Sequence, residues 1–173
     1  WQRRRYNIIC GFAGYENRIL DIGCGSSKIL SAQPQAVGLD IDFKKLRYGL
    51  SLGNPLVNAD IRNLPFKDGS FNEVLCSEVI EHLNKDEHIF QELKRVLKNG
   101  GCLILGTPDY SRFSWVAIEW LYKKLMPGGY ADKHISHYNR KELVGLIENV
   151  GFQLQSYKYI WGSELICKFK KVH

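Results

Sequence analysis

Two acids and two closely spaced glycines carry most of the chemistry legible in this chain. In Ile19-Leu-Asp-Ile-Gly-Cys-Gly-Ser-Ser27 an apolar run breaks into Gly23-Cys24-Gly25, with Asp21 two residues ahead of the first glycine. Glycine has no Cβ, so such a turn permits unusual dihedrals and a close approach of backbone to ligand. A G-x-G turn leaving a strand is a nucleotide-cofactor signature, and a weak one alone. A second apolar run, Ala36-Val-Gly-Leu-Asp40, ends in an acid placed where a ribose diol would lie, and a carboxylate can accept from both hydroxyls. A dinucleotide site fits poorly. Its fingerprint wants a third glycine where this chain has Lys28, and Asp21 beside the turn would repel a pyrophosphate but suit an ammonium group.

The elements that must position these residues alternate strand with helix, the order of an open parallel sheet covered by helices. The pattern predicts strands at Arg18–Ile22, Ala36–Leu39, Pro55–Asn58, Phe71–Ser77 and Cys102–Gly106. Helices are expected from Ser26 to just before Pro34, from about Phe43 to Leu52, over Asp86–Lys98 and over Arg140–Val150. Asn99-Gly100-Gly101 reads as the stop of the third of these. Phe152–Tyr159 and Ser163–Phe169 then form two strands joined around Trp161-Gly162. So short a link forces antiparallel pairing, because a parallel crossover needs a dozen or more residues. A dinucleotide fold would continue parallel. The expected class is α/β: a Rossmann-like, mostly parallel sheet with helices on both faces and a C-terminal antiparallel hairpin.

With the turn, the second acid and the antiparallel tail together, the chain resembles the class I S-adenosylmethionine (SAM) methyltransferases, in particular their type 11 branch. The resemblance runs from Ile19 to Phe169 and rests on the set of motifs rather than on any single one. It includes Asn58-Ala-Asp-Ile61 after the third strand and Leu64-Pro65-Phe66 leading into Phe71–Ser77, with Asn72 where the family's pattern usually has Asp. It implies SAM as cofactor, lying across the carboxyl ends of the first, second and fourth strands. Gly23, Cys24 and Gly25 would pass against the methionine portion, with Asp21 near its ammonium. Asp40 would take the ribose diol and Ile41 would pack on the adenine. Asp60 would accept from the exocyclic amine beside Ile61, and Ser77 would offer backbone to the methionine group.

The acceptor side is read from the residues after the fourth strand. Glu78-Val-Ile-Glu81-His82 lines the substrate side of the cofactor in the family, and His82 titrates in the range suited to a general base; the plainer reading is that His82 packs under the next helix. Thr107 to Asn139 is an aromatic-rich connection expected to act as a lid-like insertion, at about residues 107–139, within one domain spanning 1–173. Its Pro127-Gly128-Gly129 reads as a hinge, and His134, His137 and Tyr138 as acceptor-facing groups. Metal binding is not expected: His134 and His137 stand at i, i+3 with no acid motif beside them.

Composition bounds the rest. The chain has 173 residues, a net charge of +6, and five scattered cysteines with no C-x-x-C pair, which read as reduced cytoplasmic thiols. There is no signal-peptide pattern and no apolar run of bilayer length. The expected acceptor is a small molecule or a lipid- or glycan-linked group, with peripheral membrane contact left open by the apolar run after Ser111 and the oligomeric state undetermined. The basic balance keeps an RNA or protein methyltransferase as the alternative. Against nucleic acid, Cys76-Ser77-Glu78-Val79 lacks the Pro-Pro-aromatic run of amino-methylating nucleic-acid enzymes. A non-catalytic SAM-binding subunit is the third reading.

Overall fold

The structure, a computed structural model, describes residues 1–14, 17–25, 28–125 and 134–172. Seven strands form one sheet in the order β3-β2-β1-β4-β5-β7-β6. They are β1 (Ile19–Ile22), β2 (Val37–Asp40), β3 (Leu56–Asn58), β4 (Phe71–Ser77), β5 (Leu97–Pro108), β6 (Phe152–Ile160) and β7 (Glu164–Lys171). The first five run parallel, and β7 pairs antiparallel with both β5 and β6. The mixed sheet with its antiparallel end is the class expected from the sequence.

Helices cover both faces, which is why β1 and β2 are buried along their whole length rather than alternating. On one face Leu20 and Ile22 join Ile89, Phe90 and Leu93 of α4 (Glu87–Val96) and Leu143 and Ile147 of α6 (Arg140–Asn149). On the other, Ile19 packs with Ile9 of α1 (Gln2–Phe12), with Ile29 and Leu30 of α2 (Lys28–Ala32), and with Leu46 of α3 (Phe43–Leu46). Asp86 caps α4 by accepting from the His88 amide at 2.9 Å, and Asn139 caps α6 by accepting from Glu142. A 3-10 turn, Arg47–Leu52, continues α3. The aromatic run becomes α5 (Phe113–Leu125), and no helix among the described residues is long and apolar enough to cross a membrane.

Two expectations are corrected. The helix expected over Asp86–Lys98 ends at Val96, and β5 starts at once, Leu97 pairing with Phe71. Asn99-Gly100-Gly101 is therefore a bulge within β5: Cys102 pairs with Glu73, so the intervening residues must loop out of register, with Gly100 at φ +71°. Residues before the first predicted strand, to which the sequence pattern assigns no element, form α1, because Ile9 finds a buried place against the sheet. Ser26, at the expected start of α2, and the Pro127-Gly128-Gly129 hinge lie outside the described residues.

The strand order fixes where a ligand can bind. From β1 the chain moves outward to β2 and β3, then returns to place β4 on the opposite side of β1. Loops leaving β1 and β4 diverge there and open a crevice at the strands' carboxyl ends, the switch point of an open α/β sheet.

Candidate active site

Gly23 follows β1 with φ +70°, and a Cβ there would lie 2.4 Å from Val79 Cγ2. Its amide and that of Cys24 donate to the Leu39 carbonyl, which ties the turn to β2. Gly25, at φ +46°, donates its amide to Asp40 Oδ2 at 3.0 Å, and Asp42 donates to Oδ1 at 2.9 Å. The Asp40 carboxylate, buried, therefore anchors the glycine turn as well as facing the crevice. Each of its oxygens keeps a further acceptor position, so the diol role and the anchoring role are compatible.

Two adjoining hollows fill the crevice. One, of about 790 Å³, is lined by Asp40, Ile41, Asp60 and Ile61 on one side and by His82 and His134 on the other. The second, of about 400 Å³, is lined by Asp21, Cys24, Gly25, Lys28 and Ser77 and shares Arg5, Gly23 and Glu78 with the first. Both volumes fall in the range of small-ligand sites. Asp21 is buried, Ile41 is exposed and Ile61 is buried. Arg62 grips the Asp60 carboxylate, donating from Nε to both oxygens at 3.0 and 3.1 Å, and this hydrogen bonding holds the acid below the usual carboxylate range. Ser77 Oγ is buried with no hydrogen-bond partner among the described residues.

The donor set suits the cofactor expected from the sequence. Asp21, Asp40 and Asp60 suit a ligand that brings hydroxyl, amine or ammonium donors, while Lys28 and Lys45 suit an anionic end of the same ligand. Val79 packs against Gly23 and leaves no room there for a side chain.

Beyond this the crevice turns acidic and aromatic. Glu78 leaves β4 at φ +58°, an uncommon conformation for a residue with a side chain. Its carboxylate lies 3.2 Å from Arg5 Nη2. Arg5 reaches in from α1 and forks Glu164 of β7, from Nε to Oε1 at 2.6 Å and from Nη2 to Oε2 at 2.8 Å, and Trp1 Nε1 donates to the same carboxylate. Burial, with Glu81 and Glu164 close by, pushes the Glu78 carboxyl well above its ordinary range. Burial likewise raises Glu81 to about 7. Thr107 Oγ1 donates to Glu81 Oε2 at 3.1 Å, while Oε1 has no hydrogen-bond partner among the described residues.

His82 and His134 face one another with ring centroids 4.9 Å apart, and Tyr110 Oη lies 2.7 Å from His134 Nδ1. Residues 134–137 are not helical, so His137 does not share a face with His134. It is exposed and stacks on Tyr110 at 4.0 Å. Tyr138, expected to face the acceptor, instead lies in the core at 2% exposure, packed with Leu143 and Ile147. The physical reason is its pairing with Asp109 in an isolated bridge, which turns the ring under α6. Arg5 and Glu164 are functional candidates that sequence reasoning misses, and it places Glu78 and Glu81 on the substrate side without a role of their own. A Glu-x-x-Glu-His run directly after a strand at the switch point is a usable signal; nothing local links Arg5 to Glu164.

Comparison with known proteins agrees with this geometry. A family model described as "Methyltransferase domain" matches residues 20–105. The malonyl-[acyl-carrier protein] O-methyltransferase of Legionella pneumophila is 33% identical over 114 residues, covering 60% of this chain and 40% of the relative. The ubiquinone biosynthesis O-methyltransferase of Xanthomonas euvesicatoria is 30% identical over 155 residues, covering 80% and 63%. Among solved structures, a SAM-dependent methyltransferase of Thermotoga maritima, described as a possible histamine N-methyltransferase, superposes with a TM-score of 0.84 over 99% of this chain and 89% of its own. At 20% identity that likeness speaks to the fold. The chain spans about half the length of the curated relatives it matches.

Proposed function

Since the chain belongs to the methyltransferase-domain family, matched over residues 20–105, we propose that it uses SAM to methylate a small-molecule or lipid- or glycan-linked acceptor. One observation carries the reading: Asp21, the Gly23–Gly25 turn, Asp40 and Asp60 open onto adjoining hollows at the switch point of the sheet. The cofactor supplies a methyl group already activated on a sulfonium. The chain's own residues have the simpler tasks of holding, orienting and excluding water.

Asp40 and the turn it anchors hold the ribose end, Asp60 with Ile61 the base, and Asp21 the ammonium. Lys28 and Lys45, which line the second hollow, leave room there for a carboxylate end. The acceptor meets the wall made by Glu78, His82 and His134. Of the expected lid, α5 is the part that reaches this wall, with Trp115 stacked on His134. The same helix exposes Phe113, Trp120 and Leu125 at 85, 62 and 70%, which supports an acceptor carried on a lipid or another apolar group.

The test has two arms. Calorimetry with SAM, S-adenosylhomocysteine and NAD should give binding for the first two and none for NAD; tight NAD binding without SAM binding would refute the reading. Labelled SAM should then pass its methyl to material in a metabolite or lipid extract. Transfer to total RNA alone would favour the nucleic-acid alternative.

A further inference from the structure

We propose that Glu81, His82 and His134 form a site for a divalent transition-metal ion whose open coordination positions face the larger hollow and bind a hydroxyl-bearing acceptor through oxygen. The ion's site stands on geometry alone, and its link to the acceptor rests on the methyl-transfer reading above.

One ligand atom from each of the three residues can be chosen so that all lie within 4.8 Å of one another. Two imidazoles and one carboxylate are a donor set that first-row divalent ions favour, and three protein ligands leave positions for a further molecule. An ion holding ligands at about 2.0–2.2 Å would draw the three inward.

Glu81 supplies the independent sign. It is fully buried, yet Oε1 has no hydrogen-bond partner among the described residues. A buried carboxylate oxygen in that state costs free energy unless a proton or a cation reaches it. Around it the charges are unbalanced: Glu78, Glu81 and Glu164 are near enough to interact, and the guanidinium of Arg5 beside them is already committed to Glu78 and Glu164. A divalent cation beside Glu81 corrects that imbalance. The second layer is in place as well. Thr107 holds the other Glu81 oxygen and Tyr110 contacts His134 Nδ1, which fixes the orientation of that ring.

Both histidines also line the hollow that Asp40 and Asp60 enter, so an open position on the ion looks toward the cofactor site. A hydroxyl coordinated there loses its proton more readily, and the proton passes to solvent water. In this assignment His82 is a ligand rather than the general base expected from the sequence.

The experiment titrates MnCl2 into the chelator-treated whole chain, following heat by calorimetry and unbound Mn2+ by electron paramagnetic resonance. The expected result is one ion per chain, weakened at least tenfold in each of Glu81→Gln, His82→Ala and His134→Ala. His137→Ala, altered at an exposed ring, should bind as the wild type does. S-adenosylhomocysteine affinity measured on the same samples reports folding and the cofactor site separately. Absence of stoichiometric Mn2+ binding by the wild-type chain, or equal binding by all the variants, overturns the metal site. If Mn2+ binds and S-adenosylhomocysteine does not, the site stands and the methyl-transfer reading falls. In the labelled-methyl assay the product should carry its methyl on oxygen, and formation should stop with chelator and resume with Mn2+. A chelator-insensitive reaction, or methylation at carbon or nitrogen, overturns the acceptor part.

Discussion

Replacing Asp40 with Ala should affect ligand binding and the chain's own stability together, and the two effects can be separated. The carboxylate accepts from the Gly25 amide at 3.0 Å and from the Asp42 amide at 2.9 Å, one on each oxygen. Bonds to a charged acceptor contribute about 1.5–3 kcal/mol each where water is excluded. The crevice is open enough to rehydrate much of that, so a net loss of about 2 kcal/mol is expected. For a domain of this size, that lowers the melting temperature by roughly 4–8 °C. Loss of the two ribose acceptors should cost a further 1.5–3 kcal/mol in affinity, or about ten- to a hundredfold. Asp40→Asn keeps one acceptor and turns an amide donor toward the other N–H, so it should recover little of either. Calorimetry with S-adenosylhomocysteine, paired with thermal melts with and without ligand, gives both numbers. If the melt falls but affinity stays within twofold, Asp40 is an anchor for the turn and nothing more. If both stay unchanged, the anchoring argument itself is wrong.

Arg5→Ala leaves the buried Glu164 without its fork, and should cost about 3 kcal/mol, roughly 6–12 °C in the melt; Arg5→Lys should recover less than half, because a point charge cannot bridge both oxygens, and full recovery would refute the role of the fork. Gly23→Ala must hold φ +70° with a methyl 2.4 Å from Val79 Cγ2; it should lose about 1–3 kcal/mol, and pairing it with Val79→Ala should relieve the clash but not the strain, as double-mutant melts would report. Glu81 is protonated in the folded chain up to about pH 7 but only to about 4.3 unfolded. Between those values the folded state binds more protons, so its stability falls as pH rises through that window. Melts of Glu81→Gln should lack this part of the slope, with Glu78, Glu164, Arg5, His82 and His134 still present around the site, and an unchanged profile would show that Glu81 is not the titrating group.

Much of the fold and of the cofactor side is legible in the chain. The parallel strands are continuous apolar runs bounded by turn residues, and the two closing strands are too close in sequence to pair any other way. The turn at Gly23 and the acids at 21, 40 and 60 can be read because each lies in the last residues of a strand or just after it, and strand ends converge at the switch point. Tyr138 misleads because an aromatic residue one position after a histidine looks like part of the same surface; only the bridge to Asp109 reveals that the backbone turns it inward. Asn99 to Gly101 looks like a helix stop because glycines stop helices and also permit bulges, and the choice depends on register with β4. The fork between Arg5 and Glu164 spans 159 positions, and neither residue is distinctive where it stands.

That separation has a bearing on the order in which the molecule assembles. β7 is inserted between β5 and β6, so the sheet cannot acquire it until nearly all of the chain is available. Only then does Glu164 exist as a mooring for Trp1 and Arg5, and only then can α1 settle over the crevice. Contacts of such long range form late, after the entropy of closing the intervening chain has been lost. The nucleotide half, built from β1, β2 and β3, needs none of them. A refolding experiment followed by S-adenosylhomocysteine fluorescence competition and by the environment of Trp1 should therefore register two events, with weak ligand binding arising before the Trp1 indole docks on Glu164.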